Sequence, residues 1–216
     1  MHRRRTAIAL SAALAAAPLL TACGGSPHAG AAAVVGGQRI TVAQLESRVN
    51  EVRTAQRAAA TDDAQYQQTL AQTSSLTRDT LHTMVLDRVL NRAAEEAGVG
   101  VTRSDVEQMR QGLEQQAGGS KALQSAWLQQ YGVAPQRLDD SLRTEVQAQK
   151  LAGALGVDMN TTDGKAAFWT AMAQASKELG IKLNPRYGTW DVQKSSRVDA
   201  RTPWVKEVTV TPGQQA

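Results

Sequence analysis

A single cysteine, one phenylalanine and three histidines stand in a chain of 216 residues. One cysteine excludes an intrachain disulfide, and one cysteine with three scattered histidines builds no zinc site. Glycine-rich phosphate loops of the Walker or dinucleotide type are missing, as is a Gly-x-Ser-x-Gly elbow. The chain is therefore expected to be no enzyme and to take no cofactor, metal or small-molecule substrate. His82, the mid-chain histidine, falls on the apolar part of a helix and reads as a surface or half-buried side chain, and His28 as a solvated linker residue. The carboxylate pairs Asp62-Asp63, Glu95-Glu96 and Asp139-Asp140 are adjacent in sequence, so their side chains diverge on a helix and read as solvated faces. Aromatics make up 4% of the residues, while alanine, glutamine and leucine abound, a composition of helices with a thin core. Strand signals are too few for the alternating α/β layout of a solute-binding protein.

The lone cysteine has a telling address. HRRR (residues 2–5) is a positive n-region, and TAIALSAALAAAPLL (6–20) is an apolar run shorter than the roughly 20 residues that span a bilayer. Leu20-Thr21-Ala22-Cys23 resembles the bacterial lipobox. That resemblance implies removal of residues 1–22, a diacylglyceryl group on Cys23, and anchoring to the extracytoplasmic face of the cell membrane. It also revises the charge. Of 24 Lys and Arg against 20 Asp and Glu, three arginines leave with the leader and no acidic residue does. The remainder is close to neutral, so basicity is no argument for nucleic acid.

Residues 23–32 are small and Gly-rich and read as a flexible tether. Val34-Val35 and Arg39-Ile40-Thr41 flank Gly36-Gly37, a two-residue hairpin signal. Thr41 can cap a helix with Val42, Leu45, Val49 and Val52 at helical spacing. From about Asp62 to Ala97 the chain reads as one long helix or two abutting ones. Leu81, Val85, Val89, Leu86, Leu90, Ala93 and Ala97 form its apolar stripes, and charged residues including Asp79, Asp87 and Arg88 fill the rest. Gly98 ends that helix, and Thr102 with Asp105 opens the next as a capping box. Helices follow with Val106, Met109 and Leu113, with Leu123 and Trp127, and with Leu138, Leu142 and Val146 behind Pro135. A last helix carries Phe168, Met172, Ala175 and Leu179 up to Gly180. Ile181 and Leu183 then alternate as a short strand before a turn at Asn184-Pro185. Residues 192–216 are polar and Pro-punctuated and read as a mobile tail.

The hairpin-then-helix opening resembles that of SurA and PrsA type periplasmic foldases, with Gly36 where their "V-V-N-G-x-x-I-T"-like pattern commonly has Asn. "EEAGVGVTRSDVEQ" and "QQYGVAPQRLDDSLRTEV" look like the helix-turn-helix series of their chaperone half. The resemblance implies a mainly α, multi-helix SurA N-terminal-like domain over 33–191, with a small β-sheet formed by the N-terminal hairpin and a C-terminal strand. Trp190 and Tyr187 are expected to hold that strand in place. The roughly 90 further residues of a parvulin isomerase domain have no room among the helices from 42 to 179. The implied function is an ATP-independent chaperone that holds unfolded or exported proteins in a crevice between helices, without isomerase activity. Trp127, Tyr131, Phe168, Trp169 and Met172 are the candidate client-binding residues. A structural or adaptor lipoprotein with one specific envelope partner is the alternative.

Overall fold

Gly36 and Gly37 take φ of 57° and 75°, the double left-handed turn that a two-residue hairpin requires. They join β1 (Ala31–Val35) to β2 (Gln38–Thr41) in antiparallel register, Val35 opposite Gln38 and Val34 opposite Arg39. A computed structural model describes residues 30–199; Cys23, the segment expected to be the leader (1–22), most of the expected tether (23–32) and residues 200–216 lie outside the described residues. The first strand starts at Ala31, two residues before the expected boundary, and Ala31, Ala32 and Ala33 are fully buried. Their small side chains, of which those of Ala31 and Ala32 read as tether in sequence, let the strand lie close against its neighbours.

Helices follow at the expected places. Thr41 caps α1 (Val42–Ala59) in a reciprocal box with Gln44. The long helical stretch breaks at residues 73–75 into α2 (Asp63–Gln72) and α3 (Leu76–Glu96). Arg53 of α1 secures the break by donating to the Thr73 carbonyl at 2.8 Å, which also accepts from the Leu76 N–H at 3.1 Å. Thr102 and Asp105 form the capping box of α4 (Arg103–Ala117), and Gly118 closes that helix in the left-handed region. Next come α5 (Ser120–Tyr131), a 3-10 turn at Pro135–Arg137, and α6 (Leu138–Ala154). Thr161 caps α7 (Thr162–Glu178).

After α7 the chain returns to its beginning. β3 (Lys182–Leu183) pairs antiparallel with β1, Leu183 opposite Ala33, giving the strand order β2-β1-β3. Asn184 extends the pairing by donating from its backbone N–H to Ala32 and from its side chain to Ala31. The mainly α fold with a small sheet joining both ends is therefore present as the residues implied. The stretch from 192, read as a tail, holds more structure than expected. β4 (Thr189–Asp191) and β5 (Ser196–Val198) make a second hairpin. Trp190 of that hairpin donates to Ser176 of α7 at 2.7 Å and lies 5.6 Å from the His82 ring of α3. Composition alone missed this element because its anchors are long-range.

Helix α3 is the axis of the molecule. Leu81 and Val85 join Ile40, Leu45 and Leu183 in one cluster, and Val89, Leu90 and Ala93 join Leu151, Phe168 and Met172 in another. Leu76, at its start, packs with Val52, Leu128 and Ala134. Each such Leu, Ile or Val, once buried, contributes about 1.5–3 kcal/mol, so a helix shared among three clusters couples the ends of the chain.

Candidate functional site

Between α1, α3, α6 and the turn after α5 the helices leave a cleft of about 310 Å³. Its floor is apolar: Val52, Leu76, Met84 and Ala134, with Ala134 buried against the leucines of that cluster. Gly132, at φ 62°, turns the chain back over Leu76 and sets Val133 and Ala134 into the wall. A second hollow of about 430 Å³ adjoins it, and the two share Arg48, Met84, Asp87 and Arg137.

The rim is polar and held by one forked ion pair. Arg137 donates through Nε and Nη2 to the two carboxylate oxygens of Glu51 at 2.7 and 2.9 Å, tying the 3-10 turn to α1. Those bonds hold the Glu51 carboxyl below its usual range, and Arg137 also reaches Asp140 at 3.2 Å. Asp87 sits deeper. Burial pushes its pKa up to about 6, against the attraction of Arg48 and a long 3.5 Å contact from the Thr144 hydroxyl; Asp140 nearby adds to the rise. Arg48 does not come within ion-pair distance.

Of the five expected client-binding residues, Tyr131 lines this cleft and Trp127 stands behind it. Tyr131 is 57% exposed and lines it, with its ring 5.2 Å from Trp127. Trp127 is half-buried and donates from Nε1 to Ser141 Oγ, another lining residue. Phe168 and Met172 go elsewhere: both are buried in the core between α3, α6 and α7, because they share the helix face that packs there. Trp169 is exposed, edge-on to Phe168, and does not line the cleft. Cys23 lies outside the described residues. No group of three or more His, Cys, Asp or Glu among the described residues is placed to hold a metal ion.

Reasoning from sequence missed Asp87, Arg48 and Arg137. A signal was present in α3, where Asp79, Thr80, Thr83, Asp87 and Asn91 line one face. These are short polar side chains. A freely solvated helix face is commonly built from long Lys, Glu and Arg, and a stripe of short ones fits a face turned toward other elements.

No curated protein and no solved structure matches the chain. A family model does: the SurA-like N-terminal domain, over residues 2–152. That span runs through the hairpin and all four elements that wall the cleft, ending within α6; α7, β3 and the second hairpin lie beyond it. With more than half of its length matched, the chain belongs to the family of SurA-like N-terminal domains, a chaperone-related family.

Proposed function

We propose that the protein is a lipid-anchored, extracytoplasmic holdase that binds unfolded segments of exported proteins, without ATP and without prolyl isomerase activity. The cleft carries this reading. Its apolar floor can shelter a side chain of an extended polypeptide, and its polar rim with the exposed Tyr131 accommodates the chain that bears it. Family membership supports the chaperone class, although fold does not by itself assign function. The lipobox at Leu20–Cys23 supports the anchor and, with the leader, the extracytoplasmic location.

Aggregation of several denatured proteins, followed by light scattering, tests it. Near-stoichiometric protein is expected to suppress scattering equally with and without ATP. Tyr131→Ala is expected to weaken suppression severalfold, while Trp169→Ala leaves it unchanged. Equal aggregation with and without the protein refutes the holdase. Capture of one stoichiometric envelope partner, in place of many unrelated unfolded chains, favours the adaptor.

A further inference from the structure

The charges of the cleft are nearly all committed. Arg137 holds Glu51 and Asp140, Asp79 accepts from the Ser75 hydroxyl, and Arg143 donates to the Val101 carbonyl. Asp87 and Arg48 are the exceptions among the described residues, and they make no ion pair with each other. Asp87 sits where the two hollows meet, beside Met84, and its side chain receives only the long contact from Thr144. The charged groups around it are Arg48 and Glu51 of α1, Arg137 of the 3-10 turn, Asp140 and Arg143 of α6, and Asp79 and Arg88 of α3 itself. A carboxylate removed from water without a strong donor is unfavourable, and a cation bearing N–H groups is the ligand that best relieves it.

We propose that Asp87 is a specificity subsite for a cationic side chain, a lysine or arginine of an unfolded polypeptide whose neighbouring apolar residue rests on the Val52–Leu76–Ala134 floor. This inference rests on the client-binding reading above and adds selectivity to it. Charge complementarity favours this occupant. Arg137 is bound to Glu51, Arg143 and Arg88 donate to backbone carbonyls, and Arg48 stays outside ion-pair distance, so among the described residues no cation closes on the Asp87 carboxylate. Asp140 adds further negative potential on the same side. The occupant binds the ionised carboxylate, so binding weakens as pH falls through about 6, where Asp87 takes up a proton.

The full chain, purified in mild detergent, is titrated with two fluorescent unstructured peptides. They differ at one residue, lysine in one and uncharged norleucine in the other, each flanked by leucine. At neutral pH the lysine peptide is expected to bind at least about tenfold more tightly. The difference is expected to shrink as pH falls through about 6, and Asp87→Asn, with its fold checked by circular dichroism, is expected to abolish it. Calorimetry near pH 6 in buffers of different ionisation enthalpy is expected to show proton release on binding the lysine peptide alone. Equal affinity of the two peptides, both weakened by Tyr131→Ala, overturns the cationic subsite and leaves the holdase standing. Binding of neither peptide overturns both. Peptide binding that appears only after removal of residues 200–216, or only on dilution, places the chain's own end or a second copy in the cleft and overturns the subsite as well.

Discussion

At Asp87 the burial that suits a ligand also makes stability depend on pH. Its pKa is about 6 in the folded protein and 3.8 for the free side chain, so the folded state binds the proton more readily than the unfolded one. The penalty is absent below the unfolded value, grows between the two, and is complete above about pH 6. Asp87→Asn keeps an oxygen for Thr144 and removes the charge. It is expected to raise stability by roughly 1–2 kcal/mol at neutral pH, with the gain fading as pH falls toward 4. Urea unfolding at a series of pH values checks this, and a gain unchanged at acid pH contradicts it. His82 works in the opposite sense: burial first, then Arg197, lower its pKa, so its contribution is complete above its unfolded value and is lost as pH falls through the folded one. Single residues were legible where chemistry is local. Thr41, Thr102 and Asp105 are caps because their side chains meet backbone groups three residues away. Asp87 was not, since α1 and α6, distant in sequence, remove it from water.

Elements were read well where apolar spacing is dense and poorly where strands are short. Leu81, Val85 and Val89 fell on α3 and Gly98 marked its end, although the position of the break before Leu76 was not read, and alternation at Ile181 and Leu183 placed β3. β4 and β5 gave no such signal. Each has three residues, and Ser195 in their turn takes a left-handed φ of 44° that sequence reserves for glycine or asparagine. The closing of the sheet by β3 makes a test. Leu183 is buried among Ala33, Ile40 and Leu45, and Leu183→Ala is expected to cost about 2–4 kcal/mol. The local signature is hydrogen exchange: amides of β1 and β2 are expected to lose protection before those of α4, whose Val106 belongs to a separate cluster. Uniform loss across β1 and α4, or none in β1, refutes the coupling of the two ends.

At the scale of the molecule the cleft escaped prediction because four elements contribute to it, each with a face that looks solvated alone. The pattern of helices did not escape, and neither did the return of the chain to its start. The anchor belongs to this scale too. A diacylglyceryl group supplies two chains, enough for stable membrane attachment where one is marginal. Cys23→Ala is expected to move the protein from the membrane fraction to the soluble one, and unchanged fractionation with no lipid on intact mass measurement would sink the assignment. If Cys23 carries the proposed anchor, the seven residues to Gly30 reach at most about 25 Å, so the start of β1 is expected to lie within that distance of the bilayer.

The pairing of β1 with β3 also sets the order in which the protein can mature. The middle strand of the sheet is among the first segments synthesised, yet Ala31 and Asn184, which bond across its far side, are 153 residues apart. Until residue 184 has emerged, the far side of β1 has no strand to pair with, and the contact that completes the sheet is non-local and slow to form. For most of its own synthesis, this chain therefore exposes the kind of incomplete surface that it is proposed to shelter in others.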